Sequence, residues 1–472
     1  MMTHPPSPPS FLKTLFERWQ SADWCDRLAY VDATTQATYG QLYQAVMHEA
    51  LVLPSNPRVW MDAPLCYKAW VLVWAVWYQG GIVCFAHQRN QTTQERLLRL
   101  VQPTHRASLN TEKNLVLEEV SPTPDDEPSP LPALLAQLYS HGQAGSVLCS
   151  SGTTGTPKLA VHQLEAWLTP MLASLRKPPK RSVAFLLFDH IGGQNTLLHS
   201  AVGGHTIIVP NSLNMGDVVQ AIEAHEANLL ITTPSFLRLL ALEEDATLQR
   251  LHTLQTIRYG TEVMDAFTLQ TLQARLPQAT FVQSYGSTEA GILPTRSVGG
   301  EGSTWIQFSP SPYAQLRVVD GLLEVKTKAS MLGYLEGESS FTPDGWIHTG
   351  DAVETSPCGQ FLRIVGRANQ FINVGGRKVN PLEVEQALMQ HPAVADVVVF
   401  AKAVPLLGQA VACRVVVRDD SVAWTPAQAL KELKAFLAPQ LEAYKHPMTV
   451  ELVGALPRTH TGKPIRACNE GC

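Results

Sequence analysis

Between residues 183 and 290, short apolar runs rich in β-branched residues alternate with stretches of helical period, and this alternation constrains the fold most. Val183-Ala184-Phe185-Leu186-Leu187 reads as a strand, a helix is expected near Asn195 to Val202, and Thr206-Ile207-Ile208-Val209 reads as the next strand. Leu229-Leu230-Ile231-Thr232 follows a further helical stretch, and Thr256-Ile257-Arg258-Tyr259 and Thr280-Phe281-Val282 continue the series. Strand–helix–strand units of this length predict parallel sheet with both faces covered. Residues 11–120 alternate in a similar way, as in a layered α/β fold. The longest apolar run, Ala69 to Tyr78, is about half of what a bilayer requires, and Gln79-Gly80-Gly81 ends it. It reads as a buried helix feeding a turn and then the strand Ile82 to Ala86.

At about 150 residues per domain, 472 residues suggest two or three domains. Ser121 to Pro132 holds five prolines and an acidic cluster and reads as a solvated connector. From Ala314 to Gly366 the pattern becomes shorter strands and turns. The last hundred or so residues read as a separate small α+β unit. Asn380 is a natural N-cap, Pro381 suits the first helical position, and Glu383 stands three residues after the cap. Val384, Ala387 and Leu388 mark an apolar stripe stopped by His391-Pro392. The strand Val397 to Phe400 and a helix capped by Thr425-Pro426 follow. The expected division is a large domain over 1–366, with layered and mostly parallel sheets and helices, and a small mobile α+β domain over 367–472. No tandem repeat of solenoid period is present.

Composition narrows the function. Hydrophobic residues at 45% and charged residues at 16%, with 33 Pro and 31 Gly, give an ordinary globular profile and exclude disorder, collagen and coiled coil as descriptions of the whole chain. With 36 Lys+Arg against 41 Asp+Glu there is no basic excess for gripping nucleic acid or anionic membrane. Binding of small anions stays open, because it needs only a few placed cations. The eight cysteines (Cys25, Cys66, Cys84, Cys149, Cys358, Cys413, Cys468, Cys472) show no CxxC pair or paired-ligand spacing. The Pro-rich stretch Met1 to Ser10 lacks the pattern of a signal peptide, so the cysteines read as cytosolic thiols, mostly buried fillers. Cys468 and Cys472 could be oxidised together, but the inert reading of a terminal pair is favoured. A soluble cytoplasmic protein without a membrane span is expected.

Four stretches carry chemistry. Ser150-Ser151-Gly152-Thr153-Thr154-Gly155-Thr156-Pro157-Lys158 follows a strand-like run. Its two glycines, five hydroxyls and one lysine suit a polyphosphate cradle, although it is not the Walker loop. Tyr285-Gly286-Ser287-Thr288-Glu289 places a carboxylate at the carboxyl end of a parallel strand, where it could hold Mg²⁺ against phosphate oxygens. In Gly345 to Asp351, followed by Gly366-Arg367, an Asp fixed between tight turns suits sugar hydroxyls. Pro457 to Arg466 is a basic, Gly-containing loop near the C-terminus. Taken singly, only the first stands above a bland reading as surface turns and solvated charge.

Their order and spacing resemble the adenylate-forming (AMP-binding) superfamily of acyl- and aryl-CoA ligases, peptide-synthetase adenylation domains and luciferases. The matching runs are SSGTTGTPK, Tyr285 to Glu289, Thr349 to Asp351, GRANQFINVGGRKVNPLEVE from Gly366 to Glu385, and Pro457 to Lys463, with a weaker match at Thr38 to Leu42. The resemblance implies activation of a carboxylic acid by ATP to an acyl-adenylate with release of pyrophosphate, and then transfer to CoA. By the same resemblance Ser151, Thr153, Thr154 and Lys158 hold the β- and γ-phosphates, Thr288 contacts the α-phosphate and Glu289 holds Mg²⁺. Asp351 and Arg367 hold the ribose, Tyr285 belongs to the nucleotide site, and Gly260 lies in an adenine-side turn. Lys463 is the catalytic lysine, carried in and out by rotation about a hinge at Asn369. Gly375 and Gly376 lie near the passage that admits CoA or a carrier-protein arm.

The sequence departs from the family pattern at Asn369, where Asp or Lys is usual, and in the degraded Gly260-Thr261-Glu262 turn. The acid is addressed by Phe188-Asp189-His190-Ile191-Gly192-Gly193. Aligned on His190, this stretch makes His190, Ile191 and Gly192 line an acyl or aryl pocket. Aligned on Phe188-Asp189 it points to an amino acid. The first alignment continues the acyl-CoA ligase pattern and is preferred, with Tyr259, Tyr285 and Phe236 as aromatic walls. The expected protein is an acid–thiol ligase for an aryl or fatty acid, using ATP, Mg²⁺ and CoA. Alternatives are loading of a carrier protein, amino-acid activation, and a non-catalytic nucleotide-binding homologue.

Overall fold

The computed structural model describes residues 10–85, 91–120, 130–150, 157–173, 178–404, 408–418, 424–458 and 465–466. The connector over 121–129 lies outside the described residues. The first large sheet has seven strands in the spatial order Thr280–Gln283, Thr256–Tyr259, Leu229–Thr232, Arg181–Val183, Thr206–Ile208, Leu28–Val31 and Gln36–Thr38. Every neighbouring pair is parallel except the last. The helix Ile191–Gly203 steps in the opposite direction across the sheet from the later crossovers, so right-handed connection puts it on the opposite face. Two separate cores result. One buries Ile257, Tyr259, Leu230 and Phe236 under the helices Met215–Ala224, Pro234–Leu240 and Ala266–Arg275. The other joins Tyr30 and Ile207 to Leu197, Leu198 and Val202 of the Ile191–Gly203 helix.

The expected strand over 183–187 is corrected: it ends at Val183, and the helix starts at Ile191, four residues before Asn195. The reason is close packing between the helix start and the segment before it. Phe185 leaves the sheet to pack its ring, tilted by 55°, on Phe236 at 4.5 Å, and Gln194 Nε2 donates to the carbonyl of Phe188. Gly192 and Gly193 let the first helical turn lie against Leu186 and Leu187, with a Cβ on Gly193 colliding with the Leu187 carbonyl.

The second large sheet holds Gly145–Ser150, Ile82–Phe85, Arg58–Asp62 and His105–Leu109 as a parallel centre with antiparallel flanks. The helix Tyr67–Tyr78 is buried from Ala69 through Trp77 because it packs between the two large sheets. Its all-round apolarity therefore marks a core helix. Among the described residues no helix is long and apolar enough to cross a membrane.

The third sheet is antiparallel, with six strands including Ile347–Thr355 and Leu362–Arg367. This corrects the expectation for Asp351, which stands within a strand and not between tight turns. From Ile372 onward the chain forms a separate core around a five-stranded sheet. Asn380 Oδ1 accepts from the Leu382 N–H at 3.1 Å to cap Pro381–Leu388, whereas Glu383 pairs with Lys445 at 2.6 Å. The strand expected over 397–400 extends over Val394–Val404, and Thr425 forms a full capping box with Gln428 at Pro426–Leu437.

The contact at Gly193 gives a direct check. Gly193→Ala should cost about 1–3 kcal/mol through overpacking, read as a lowered Tm. An unchanged Tm would contradict this packing of the helix start.

Candidate active site

Asp351 and Arg367 are cross-strand partners in the third sheet. Arg367 Nε lies 2.7 Å from Asp351 Oδ1, and Arg367 Nη1 donates to the Thr349 carbonyl at 3.2 Å. The hydroxyl of Tyr285 donates to Asp351 Oδ2 at 2.6 Å. Asp351 is only 6% exposed, so these two donors are what make an ionised carboxylate tolerable there. Burial, reinforced by the Asp351 charge, holds the Tyr285 phenol well above its ordinary pKa and so keeps it a donor. Tyr285 reaches this point from an antiparallel hairpin, Tyr285–Ser287 with Gly291–Leu293, which follows the parallel strand Thr280–Gln283. Glu289 thus sits in a hairpin turn and not at a parallel strand end, a correction with a local cause. Gly286 admits the Gly291 backbone, and Ser287 Oγ accepts from the Ala290 N–H at 3.2 Å.

Asp351, Arg367 and Tyr285 open onto a cleft of about 400 Å³ between the large and small domains. At one end the Gly260 turn meets Ser284 so closely that a Cβ on Gly260 would lie 2.9 Å from its carbonyl oxygen. Here Gln283 Oε1 and Glu262 Oε1 are buried acceptors without a hydrogen-bond partner among the described residues. The other oxygen of Glu262 is held by Ser235 Oγ at 2.5 Å and Arg238 at 3.2 Å. Two unmet acceptors beside a turn suit the exocyclic amino group of a purine. Gln283, Arg238 and Ser235 were missed by the sequence reading; Gln283, two residues before the Tyr285 run, carried the nearest signal.

Lys158 opens the strand Lys158–Gln163, in register with Ser150. Its Nζ lies 4.9 Å from the centre of the Tyr334 ring, and the Tyr334 hydroxyl donates to Glu289 Oε1 at 2.5 Å. Tyr334, also missed, therefore brings Lys158 and Glu289 to one place. Its phenol pKa is raised by burial and then by the Glu289 charge. Among the described residues no group of three or more His, Cys, Asp or Glu could hold a metal. One carboxylate with the remaining ligands drawn from phosphates and water is how Mg²⁺ is commonly bound, so the donor set at Glu289 fits. The Thr288 backbone lies near His162, a fully buried ring 4.5 Å from Trp167. Burial pushes this imidazole down to about 3, against a weaker opposing contribution from the Thr288 backbone.

Ser151, Thr153, Thr154 and Lys463 lie outside the described residues. Arg458 and Arg466, on either side of Lys463, line the same cleft as Asp351. Arg458 pairs with Asp396, while Arg466 pairs with Glu385 and donates to the Val399 carbonyl at 2.8 Å. Gly375 and Gly376, with φ of +56° and +84°, form the exposed tip of the hairpin Ile372–Val374 and Arg377–Val379 and are not among the residues that line the cleft. Asn369 lies in the short 3-10 turn Ala368–Gln370 that joins the third sheet to the small domain. His190 stands at the N-terminus of the Ile191–Gly203 helix without capping it, and Ile191 and Gly192 form that helix's first turn. Tyr259 and Phe236 are buried in the core on the other face of the sheet, so they are not brought together with His190 and Ile191. Asp189 is buried beside Phe188, which packs on Phe85 at 5.0 Å.

Residues 16–334 match the AMP-binding enzyme family and residues 383–463 match the AMP-binding enzyme C-terminal domain. The chain belongs to the AMP-binding enzyme family. It is 28% identical to 4-coumarate–CoA ligase 2 of Oryza sativa subsp. japonica, over 67% of this chain and 60% of that one. It is 29% identical to 2-succinylbenzoate–CoA ligase of Bacillus licheniformis, over 68% and 69%. The chain spans about three fifths of the length of the first curated relatives it matches. ATP-bound MatB from Rhodopseudomonas palustris shares the fold with a TM-score of 0.78 at 21% identity, covering 95% of this chain and 96% of that one. The anthranilate CoA ligase AuaEII in complex with anthranoyl-AMP shares it with a TM-score of 0.77 at 17% identity, covering 97% and 96%.

His162 supplies a prediction independent of catalysis. Unfolded, its imidazole titrates near its ordinary 6.5, while the folded ring stays neutral down to about 3. Stability is therefore full above the unfolded value and falls as pH drops from 6.5 toward 3. Urea melts at descending pH should show this fall flattened in His162→Gln. Parallel pH profiles for the two proteins would contradict the buried, neutral assignment.

Proposed function

We propose that this chain activates a carboxylic acid with ATP, forming an acyl-adenylate and pyrophosphate, and then transfers the acyl group to CoA. The reading is carried by one juxtaposition: Asp351, Arg367 and Tyr285 share a cleft with Arg458 and Arg466, the described residues that flank Lys463. Asp351 and Arg367 bind the ribose hydroxyls, Gln283 and Glu262 accept from the adenine amino group, and Lys158 holds the outer phosphates with Ser151, Thr153 and Thr154. Thr288 contacts the α-phosphate. When bound at Glu289, Mg²⁺ neutralises charge on the phosphates. Lys463 offsets the charge that builds up as the acid's carboxylate oxygen attacks the α-phosphorus and pyrophosphate departs.

The boundary is placed at 366/367, with Asn369 as the pivot on which the small domain turns. In the arrangement seen here Arg458 and Arg466 of the small domain line the cleft while the Gly375–Gly376 tip does not. Rotation that withdraws Lys463 and brings this tip toward the adenylate suits thiol attack. A cytoplasmic setting is supported by free thiols at Cys25, Cys66, Cys84, Cys149, Cys358 and Cys413.

Labelled pyrophosphate should exchange into ATP with an acid from an aryl, fatty and amino-acid panel, and the product mass with CoA should be that of a thioester. No exchange with any acid would favour a binding role instead, and an adenylate that refuses CoA but loads a carrier protein would reassign the acceptor. Lys463→Ala should lower exchange by about 100- to 1000-fold yet spare thioester formation from supplied acyl-AMP. Equal loss in both steps would contradict the rotation. Glu289→Gln should raise the Mg²⁺ concentration needed for half-maximal exchange, and an unchanged titration would remove Glu289 from the metal site.

A further inference from the structure

The two faces of the first sheet are covered unequally. Leu230, Ile257 and Phe281 stand side by side on the face packed by three helices, and all are buried. Side chains alternate along a strand, so Ile231, Arg258 and Val282, also in register, stand on the face that carries the Ile191–Gly203 helix. All three are only partly buried, although Leu229–Thr232 and Thr256–Tyr259 are interior strands of the sheet. This face of the sheet is thus less completely covered than the other. The helix it carries packs on the hairpin strand Gly291–Leu293 and begins with His190 and Ile191.

Arg258 is the charged residue of this row. It has no hydrogen-bond or ion-pair partner among the described residues, and burial holds its pKa below the ordinary arginine value with no carboxylate contributing in the other direction. Other arginines of this domain have their charge met: Arg238 by Glu262 and Asp265, and Arg275 by Asp245. A cation taken partly out of water without a partner costs stability, and a ligand anion is the partner that would recover that cost.

We propose that Arg258 receives a second carboxylate on the acid, which makes the substrate a dicarboxylic acid and not a plain fatty or aryl acid. This rests on the activation reading given above. Arg258 lies two residues before Gly260, roughly 7 Å down the strand from the turn that meets the nucleotide. The two carboxylates are therefore separated by a few bonds. One attacks the α-phosphorus and displaces pyrophosphate. The other keeps its charge against the planar guanidinium, which matches a carboxylate with two parallel hydrogen bonds.

The test compares short aliphatic and aromatic diacids with their monomethyl esters in pyrophosphate exchange, using the full chain. The wild type should favour a diacid over its ester by about 10- to 100-fold in kcat/KM. Arg258→Leu should abolish that preference and, without ligand, raise Tm, because an unpaired cation has been removed. Arg258→Lys should keep part of the preference. Esters or simple monoacids turned over as well as diacids by the wild type would overturn the inference while leaving the activation reading intact. A lowered Tm in Arg258→Leu with the preference unchanged would assign Arg258 a structural role instead. No exchange with any acid would overturn both readings.

Discussion

A nearly buried carboxylate must be met by donors, and Asp351 is met from two directions. Arg367 approaches along the neighbouring strand of the third sheet, and Tyr285 from the hairpin that follows the first sheet. Because the two donors belong to different sheets, satisfying this one charge fixes where the first and third sheets meet. The strand that carries Arg367 is also the last before the small domain. The same contact therefore fixes where the short turn Ala368–Gln370 begins and how the wall of the cleft is oriented. A side-chain network of this kind is strong when complete and costly when broken, which suits a rigid wall for the cleft.

Around that rigid point, several groups are left short of partners. Among the described residues Gln283 Oε1 and Glu262 Oε1 are buried acceptors with none, and Arg258 is a partly buried cation with none. Arg238, by contrast, is met by Glu262 and Asp265. Unmet groups near the carboxyl ends of parallel strands weaken the free fold and strengthen its complexes, the usual compromise at a site. The acceptors suit the base of a nucleotide, and the cation suits an acid.

Much of this was legible in the sequence because its signals are local. The strand–helix alternation, the Asn380 and Thr425 caps and the all-round apolarity of Ala69 to Tyr78 each depend on neighbours within a few residues. The pairing of Asp351 with Arg367 could be anticipated only because both belong to runs whose order along the chain resembles a known family. Other features were illegible. Nothing near Tyr334 says that its ring meets Lys158 and its hydroxyl meets Glu289, residues far away along the chain. The shift of the helix start to Ile191 came from Phe185 leaving the sheet for Phe236, a contact that outweighs strand propensity over Ala184 to Leu187.

What the sequence determined alone was the class of fold, the presence of a separate small terminal unit and the kinds of charged and polar group available to a site, because periodicity and residue chemistry are properties of short segments. The tertiary structure decided which of those groups face one another. Tyr259 and Arg258 are adjacent in sequence, yet the pleat sends Tyr259 into a closed core and Arg258 to the less covered face. Only the packing of helices on one face and their sparseness on the other distinguishes a filler from a candidate ligand-binding residue, and that packing is set by crossover direction over a hundred residues of chain.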